Sequence, residues 1–125
     1  MVKKIMIVDA DVFSNQILGI WLRSLQYEVH IVNDGADARS RADIVRPDLI
    51  LWELSMLDAS GLDMGDWLHA CAGIGIPVVC MSTDFDKESD LPDRPAGGVH
   101  FFKKPFDLDL MQKTIEATLR SGGKR

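Results

Sequence analysis

Cysteine is scarce in this chain, which has only Cys71 and Cys80. Two thiols cannot staple a small loop-rich fold or build a four-cysteine metal site. Cys80 lies inside an apolar run and reads as a small core residue. The histidines His30, His69 and His100 lack metal-ligand spacing. No stretch approaches the ~20 apolar residues of a membrane span. Met1-Val2-Lys3-Lys4 runs straight into a strand-like segment, with no apolar leader and cleavage site, so a cytoplasmic protein is expected. Basic charge is short as well: 14 Lys and Arg against 19 Asp and Glu leave a net charge of −5. Phosphate neutralisation drives duplex binding, so no nucleic-acid partner is expected for this domain alone. Internal repeats and low-complexity segments are also missing.

The 125 residues are 46% apolar and 26% charged, the ordinary globular range. That length suits one domain with a real core. Residues 1–120 read as that domain, and 121–125 as a polar tail or the start of a linker.

Short apolar runs alternate with amphipathic stretches. Ile5–Val8 predicts a first strand, and Asp11 a helix N-cap. Phe13–Gln26 predicts a helix with Ile17, Leu18, Trp21, Leu22 and Leu25 on one face. Tyr27–Val32 alternates like a strand, Asn33-Asp34-Gly35 signals a turn, and Ala36–Val45 reads as a second helix. Arg39, Arg41 and Arg46 are assigned to that helix as a solvated charged face. Pro47-Asp48 leads into a third strand, Leu49–Trp52, ending at Glu53. Gly61–Ala72 predicts a third helix, and Val78–Met81 a fourth strand. Asp84–Val99 is irregular and supports at most a short helix near Asp86–Leu91. Val99–Phe102 predicts a fifth strand, and a last helix carries Leu108, Met111, Ile115 and Leu119 on one face. The tryptophans Trp21, Trp52 and Trp67 read as core or near-core packing.

Strands alternating with helices imply an α/β fold: a doubly wound five-stranded parallel sheet, flavodoxin-like, in the order 2-1-3-4-5. Function in such folds sits beyond the carboxyl ends of the strands. There the chain places Asp9, Ala10 and Asp11 after strand 1, Glu53 and Ser55 after strand 3, Ser82 and Thr83 after strand 4, and Lys104-Pro105 after strand 5. Carboxylates and carbonyls suit a hard cation such as Mg²⁺, and a lysine can clamp an oxyanion. Acids at strand ends also cap helices routinely, and a lysine there can simply balance charge. Four such groups on four strands point to phosphoryl chemistry.

Lys4–Asp9, Pro47–Glu53, Ile76–Ser82 and Phe102–Phe106 together resemble the receiver domain of two-component response regulators, of the chemotaxis-regulator type. The resemblance covers nearly the whole chain. It implies a domain of phosphorelay signal transduction whose partners are proteins, such as a histidine kinase and an output domain or effector. It also implies a possible homodimer through the face made by the family's fourth helix, fifth strand and fifth helix, a region that includes 84–98 here. Carried over by position, Asp9 fills the first acid position, Ser82 the hydroxyl, Lys104 the lysine and Phe101 the aromatic switch residue paired with Ser82. Phe101 could equally be an ordinary strand residue.

Two positions depart from the family pattern. Ala10 stands where a second acid holds Mg²⁺, and Glu53 where an aspartate accepts phosphate. Leu57 replaces a usual proline, and Ser60 an aspartate that often precedes the glycine at Gly61. Asp9, Glu53 and the Ser55 carbonyl remain as oxygens for a weak or absent Mg²⁺ site, and no cofactor is required. Asp11 could supply a ligand, though capping is the simpler role. The extra methylene of Glu53 moves its carboxylate about 1.5 Å outward. An error near 1 Å can cost on the order of 10²-fold in a transfer reaction. The expectation is an atypical receiver, not an enzyme, that acts without phosphorylation through protein contacts. Glu53 would then hold charge where a phosphoryl group would lie, with Lys104 as its partner. The alternatives are a receiver that still accepts phosphate with residual Mg²⁺-dependent activity, and a small-ligand sensor. The second is disfavoured because no glycine-rich phosphate loop follows strand 1.

Overall fold

A computed structural model describes residues 2–9, 11–33, 35–53, 75–82, 99–103 and 107–122. Its strands are β1 (Lys4–Val8), β2 (Glu28–Val32), β3 (Leu49–Glu53), β4 (Val78–Ser82) and β5 (Val99–Lys103). The described helices are α1 (Val12–Ser24), α2 (Gly35–Val45) and α3 (Leu108–Gly122). The five strands form one sheet in the order β2-β1-β3-β4-β5, with every pairing parallel, as the alternation of runs predicts. The expected helix Gly61–Ala72, the segment 84–98 and the residues after 122 lie outside the described residues.

β1 and β3 are short apolar runs because both of their faces are covered. On one face Ile5, Ile7, Leu49, Leu51, Val79, Met81 and Phe102 pack with Leu18 and Leu22 of α1 and with Met111, Ile115 and Leu119 of α3. On the other, Met6, Val8, Val32, Ile50, Trp52, Val78 and Cys80 pack with Ala38 and Ala42 of α2. Trp52 and Cys80 are buried, and Trp21 is partly buried against the first of these clusters, as core or near-core packing requires.

The ends of α1 are set locally. The Asp11 carboxylate accepts from the N–H of Phe13 (3.0 Å) and, more weakly, of Ser14 (3.4 Å), which fulfils the expected N-cap. At the other end Gln26 adopts φ 75°, its N–H donates to the Arg23 carbonyl, and the Tyr27 N–H donates to the Leu22 carbonyl. This is a Schellman cap with glutamine where glycine is usual.

Four expectations need correction. Leu108, grouped with Met111, Ile115 and Leu119 on one face, is exposed at the first residue of α3, outside the core that the other three join. Ile17, expected on one face with Leu18 and Leu22, is exposed instead, because Asn15, Leu18, Gly19 and Leu22 form the buried face of α1. Tyr27 precedes β2, since the Schellman cap uses its N–H. Arg46 lies beyond α2 with φ 53°, and its N–H closes the helix on the Ala42 carbonyl. Arg39 and Arg41 are exposed on α2, as a solvated face requires.

Candidate functional site at the carboxyl edge of the sheet

Pro47-Asp48 anchors β3 against β1. The Asp48 carboxylate accepts from the Lys4 N–H at 2.8 Å, and the Asp48 N–H donates to the Lys4 carbonyl at 2.8 Å. Lys4 also reaches the Val45 carbonyl through Nζ at 3.3 Å. These bonds start the pairing at Ile5 with Leu49 and carry it to Val8 with Trp52.

One step further, Asp9 and Glu53 leave neighbouring strands side by side. Both are buried, at 1% and 5% exposure. A carboxylate in such a place is costly unless polar groups serve it. The Asp9 carboxylate accepts from the Asp11 N–H at 2.9 Å, and the Asp9 N–H donates to the Val32 carbonyl at 3.1 Å.

Asn15 is the contributor that sequence reading missed. Buried on the first turns of α1, it donates through Nδ2 to the Asp9 carbonyl at 2.6 Å and to Asn33 Oδ1 at 2.9 Å. One amide therefore ties the strand end carrying Asp9 to α1 and to the end of β2. Its own Oδ1 is buried without a hydrogen-bond partner. The only sequence signal was a polar residue one turn before Gly19, on the face that holds Leu18 and Leu22.

On the other side, Met81 of β4 stands opposite Glu53, and Ser82 ends β4. Ser82 pairs with Lys103, and Cys80 with Phe101, across β4 and β5. The backbone thus brings Asp9, Glu53 and Ser82 to one edge and puts Phe101 on the neighbouring strand. Ala10, Ser55, Leu57, Ser60, Lys104 and the side chains of Ser82 and Phe101 lie outside the described residues.

Burial pushes the Cys80 thiol up to about 12, with the nearby Glu53 charge as a second cause. His30 bonds Glu28 at 2.7 Å, which holds the exposed Glu28 carboxyl below its usual range. Both lie on edge strand β2, at the start and middle of that strand rather than at its carboxyl end.

The donor set bears on Mg²⁺. Among the described residues, no cluster of three or more His, Cys, Asp or Glu could hold a metal. Asp9 and Glu53 supply two carboxylates, enough for a water-rich Mg²⁺ site but not for a dedicated cage.

A five-stranded parallel sheet in this order, with acids at the carboxyl ends of β1 and β3, is a flavodoxin-like α/β domain. The family model for the response regulator receiver domain matches residues 5–116, and the chain belongs to that family. It is therefore a receiver domain of two-component signalling. The chain is 28% identical over 118 residues to the DNA-binding response regulator MtrA of Mycobacterium tuberculosis, covering 94% of this chain and 51% of that protein. It is 30% identical over 115 residues to the transcriptional regulatory protein ZraR of Salmonella typhimurium, covering 92% and 26%. It thus spans about half, or less, of the length of these curated relatives. The fold matches the signal receiver domain of an HD domain-containing protein from Pseudomonas fluorescens Pf-5 with a TM-score of 0.85, at 16% identity over 100% of both chains. It also matches the chemotaxis response regulator CheY4 of Vibrio cholerae with a TM-score of 0.76, at 21% identity over 94% of this chain and 99% of that one.

Proposed function

We propose that this receiver domain signals through protein contacts that do not require phosphate on Glu53. The observation that carries the reading is the pair of buried neighbours Asp9 and Glu53, with Ala10 next in the chain. A receiver that accepts phosphate places an aspartate at the Glu53 position and a second acid at the Ala10 position. Here the acceptor is longer by a methylene and the metal set is poorer by one charge. In-line transfer depends on both positioning and charge neutralisation. On this reading Glu53 takes the part that a phosphoryl group would otherwise play, with Lys104 as its partner.

Asp9 and Glu53, with the Ser55 carbonyl, are the oxygens that would hold Mg²⁺. Bound there, the ion would supply charge neutralisation for an incoming phosphoryl group. Two carboxylates make that site weak.

The partners of this reading are proteins: an upstream kinase and a downstream output domain or effector. The net charge of −5 argues against nucleic acid as a direct partner of this domain. Among the described residues no helix is long and apolar enough to cross a membrane, which suits a cytoplasmic module.

The test titrates Mg²⁺ with and without beryllofluoride, a phosphoryl mimic. Fluorescence of buried Trp52, which adjoins Glu53, and backbone amide shifts report the response. The expected result is no saturable change that needs both ligands. Saturable shifts that need both and reach Ser82 and Phe101 would reinstate phosphate as the signal.

A further inference from the structure

The buried amide of Asn15 has an oxygen left over. Its Nδ2 donates to the Asp9 carbonyl at 2.6 Å and to Asn33 Oδ1 at 2.9 Å. Its Oδ1, in a residue only 2% exposed, accepts nothing. The amide is not free to turn over, because the Asp9 main-chain carbonyl only accepts and would then face an oxygen. A buried acceptor without a donor is costly, and such an atom marks a place where a polar guest completes the structure.

The surroundings say which guest. Nδ2 and Oδ1 share one carbon, so the oxygen lies within about 5 Å of the Asp9 carbonyl. Asp9 and Glu53 bring two buried carboxylates to this sheet edge, a setting that favours a cation. Asp11 does not make up for the acid missing at Ala10. Its Oδ1 accepts from the N–H groups of Phe13 and Ser14, and its Oδ2 from the Ser14 hydroxyl. Two carboxylates leave most of a Mg²⁺ ion's positions to water, and each such water has protons to donate.

We infer that Asn15 Oδ1 is part of the cation site at this edge, where it accepts a hydrogen bond from a water carried by a divalent cation such as Mg²⁺. Asn15 is then a positioning residue. It orients a metal-bound water, as groups outside the direct ligands commonly do. It adds a polar contact at a site that Ala10 leaves one acid short, and it adds no charge. The inference deepens the proposal about this edge, but it concerns the cation alone. It can therefore fail while the reading about phosphate stands.

The test titrates Mn²⁺, a paramagnetic stand-in for Mg²⁺, into the full chain without a phosphoryl mimic, from ~10 µM to ~20 mM. Saturable binding is expected to broaden the Asn15 side-chain amide signals together with the Asp9 backbone amide. The side-chain amide of exposed Gln16, next in the chain, should broaden later. Asn15→Ala should weaken binding by about 10-fold or more. Asn15→Asp keeps an oxygen and gives up the donor, and should bind at least as tightly as the unaltered chain. If Asn15 only tied β1 to α1, both variants would lose alike, since both lack Nδ2; that result overturns the inference. An affinity that Asn15→Ala leaves unchanged overturns it too, and gives the oxygen to a solitary water. Absence of saturable binding also overturns it. Should circular dichroism show either variant unfolded, the unaltered chain decides: Asn15 signals that persist once Asp9 has broadened rule the role out.

Discussion

Asp9 and Glu53 leave adjacent parallel strands one residue beyond the paired Val8 and Trp52, and both carboxylates are buried. Hydrogen bonds between Lys4 and Asp48, one donated by each backbone N–H, set the register behind them. A one-residue slip would turn every side chain of β3 to the opposite face of the sheet, so the anchor at one end of β3 decides the chemistry at the other.

Restoring two groups should restore phosphate chemistry. The double variant Ala10→Asp, Glu53→Asp is expected to take a phosphoryl group from a small acyl-phosphate donor in the presence of Mg²⁺. The unaltered chain and each single variant should be slower by about 100-fold or more. Intact-protein mass spectrometry, with hydroxylamine sensitivity, reads the label. Label on the unaltered chain that Glu53→Gln removes would contradict the proposed function.

Asn15→Ala should destabilise the domain by about 1–3 kcal/mol, because the Asp9 carbonyl and Asn33 Oδ1 lose a buried donor. Urea unfolding measures the loss. The amide signals of Asp9 and Asn33 should move most, while a wholly unaffected midpoint would deny the bridge any structural weight.

Gln26→Gly should stabilise by roughly 0.5–1 kcal/mol, since Gln26 holds φ 75° where glycine carries no side-chain penalty. The denaturation midpoint should rise at constant slope. A valine at the same position should lower it.

Cys80 predicts a pH dependence. Its thiol is raised from 9.0 to about 12 in the folded protein, first by burial and then by Glu53. The folded state therefore keeps a proton that the unfolded state releases. Its contribution is present in full below about pH 9 and is lost as pH rises from there toward about 12. Unfolding midpoints of the unaltered chain should fall across that window more steeply than those of Cys80→Ala. Parallel slopes would count against it.

Much of the architecture was legible in the chain. Short β-rich runs bounded by turn signals marked all five strands, and right-handed crossovers left few orders for them. Asp11 as N-cap was readable because capping is local: acceptor and donors lie within three residues. The acids at the strand ends were equally readable as positions.

The inner face of α1 was not. Ile17 and Leu18 are adjacent apolar residues, and periodicity cannot rank two faces that both carry apolar side chains. Asn15 was also hidden, because its partner Asn33 lies 18 residues away and its other partner is a main-chain carbonyl. No spacing rule encodes such a bridge.

The sequence alone determined the five strands, the described helices, the N-cap of α1 and the residue types brought to the sheet edge, because propensity, turn chemistry and hydrophobic period are local properties. Only the tertiary structure decided that Asp9 and Glu53 are buried neighbours, that Asn15 ties Asp9 to β2, and that Ile17 faces outward. Those outcomes depend on strand register and helix rotation, which the whole packed sheet sets through contacts far apart in the chain.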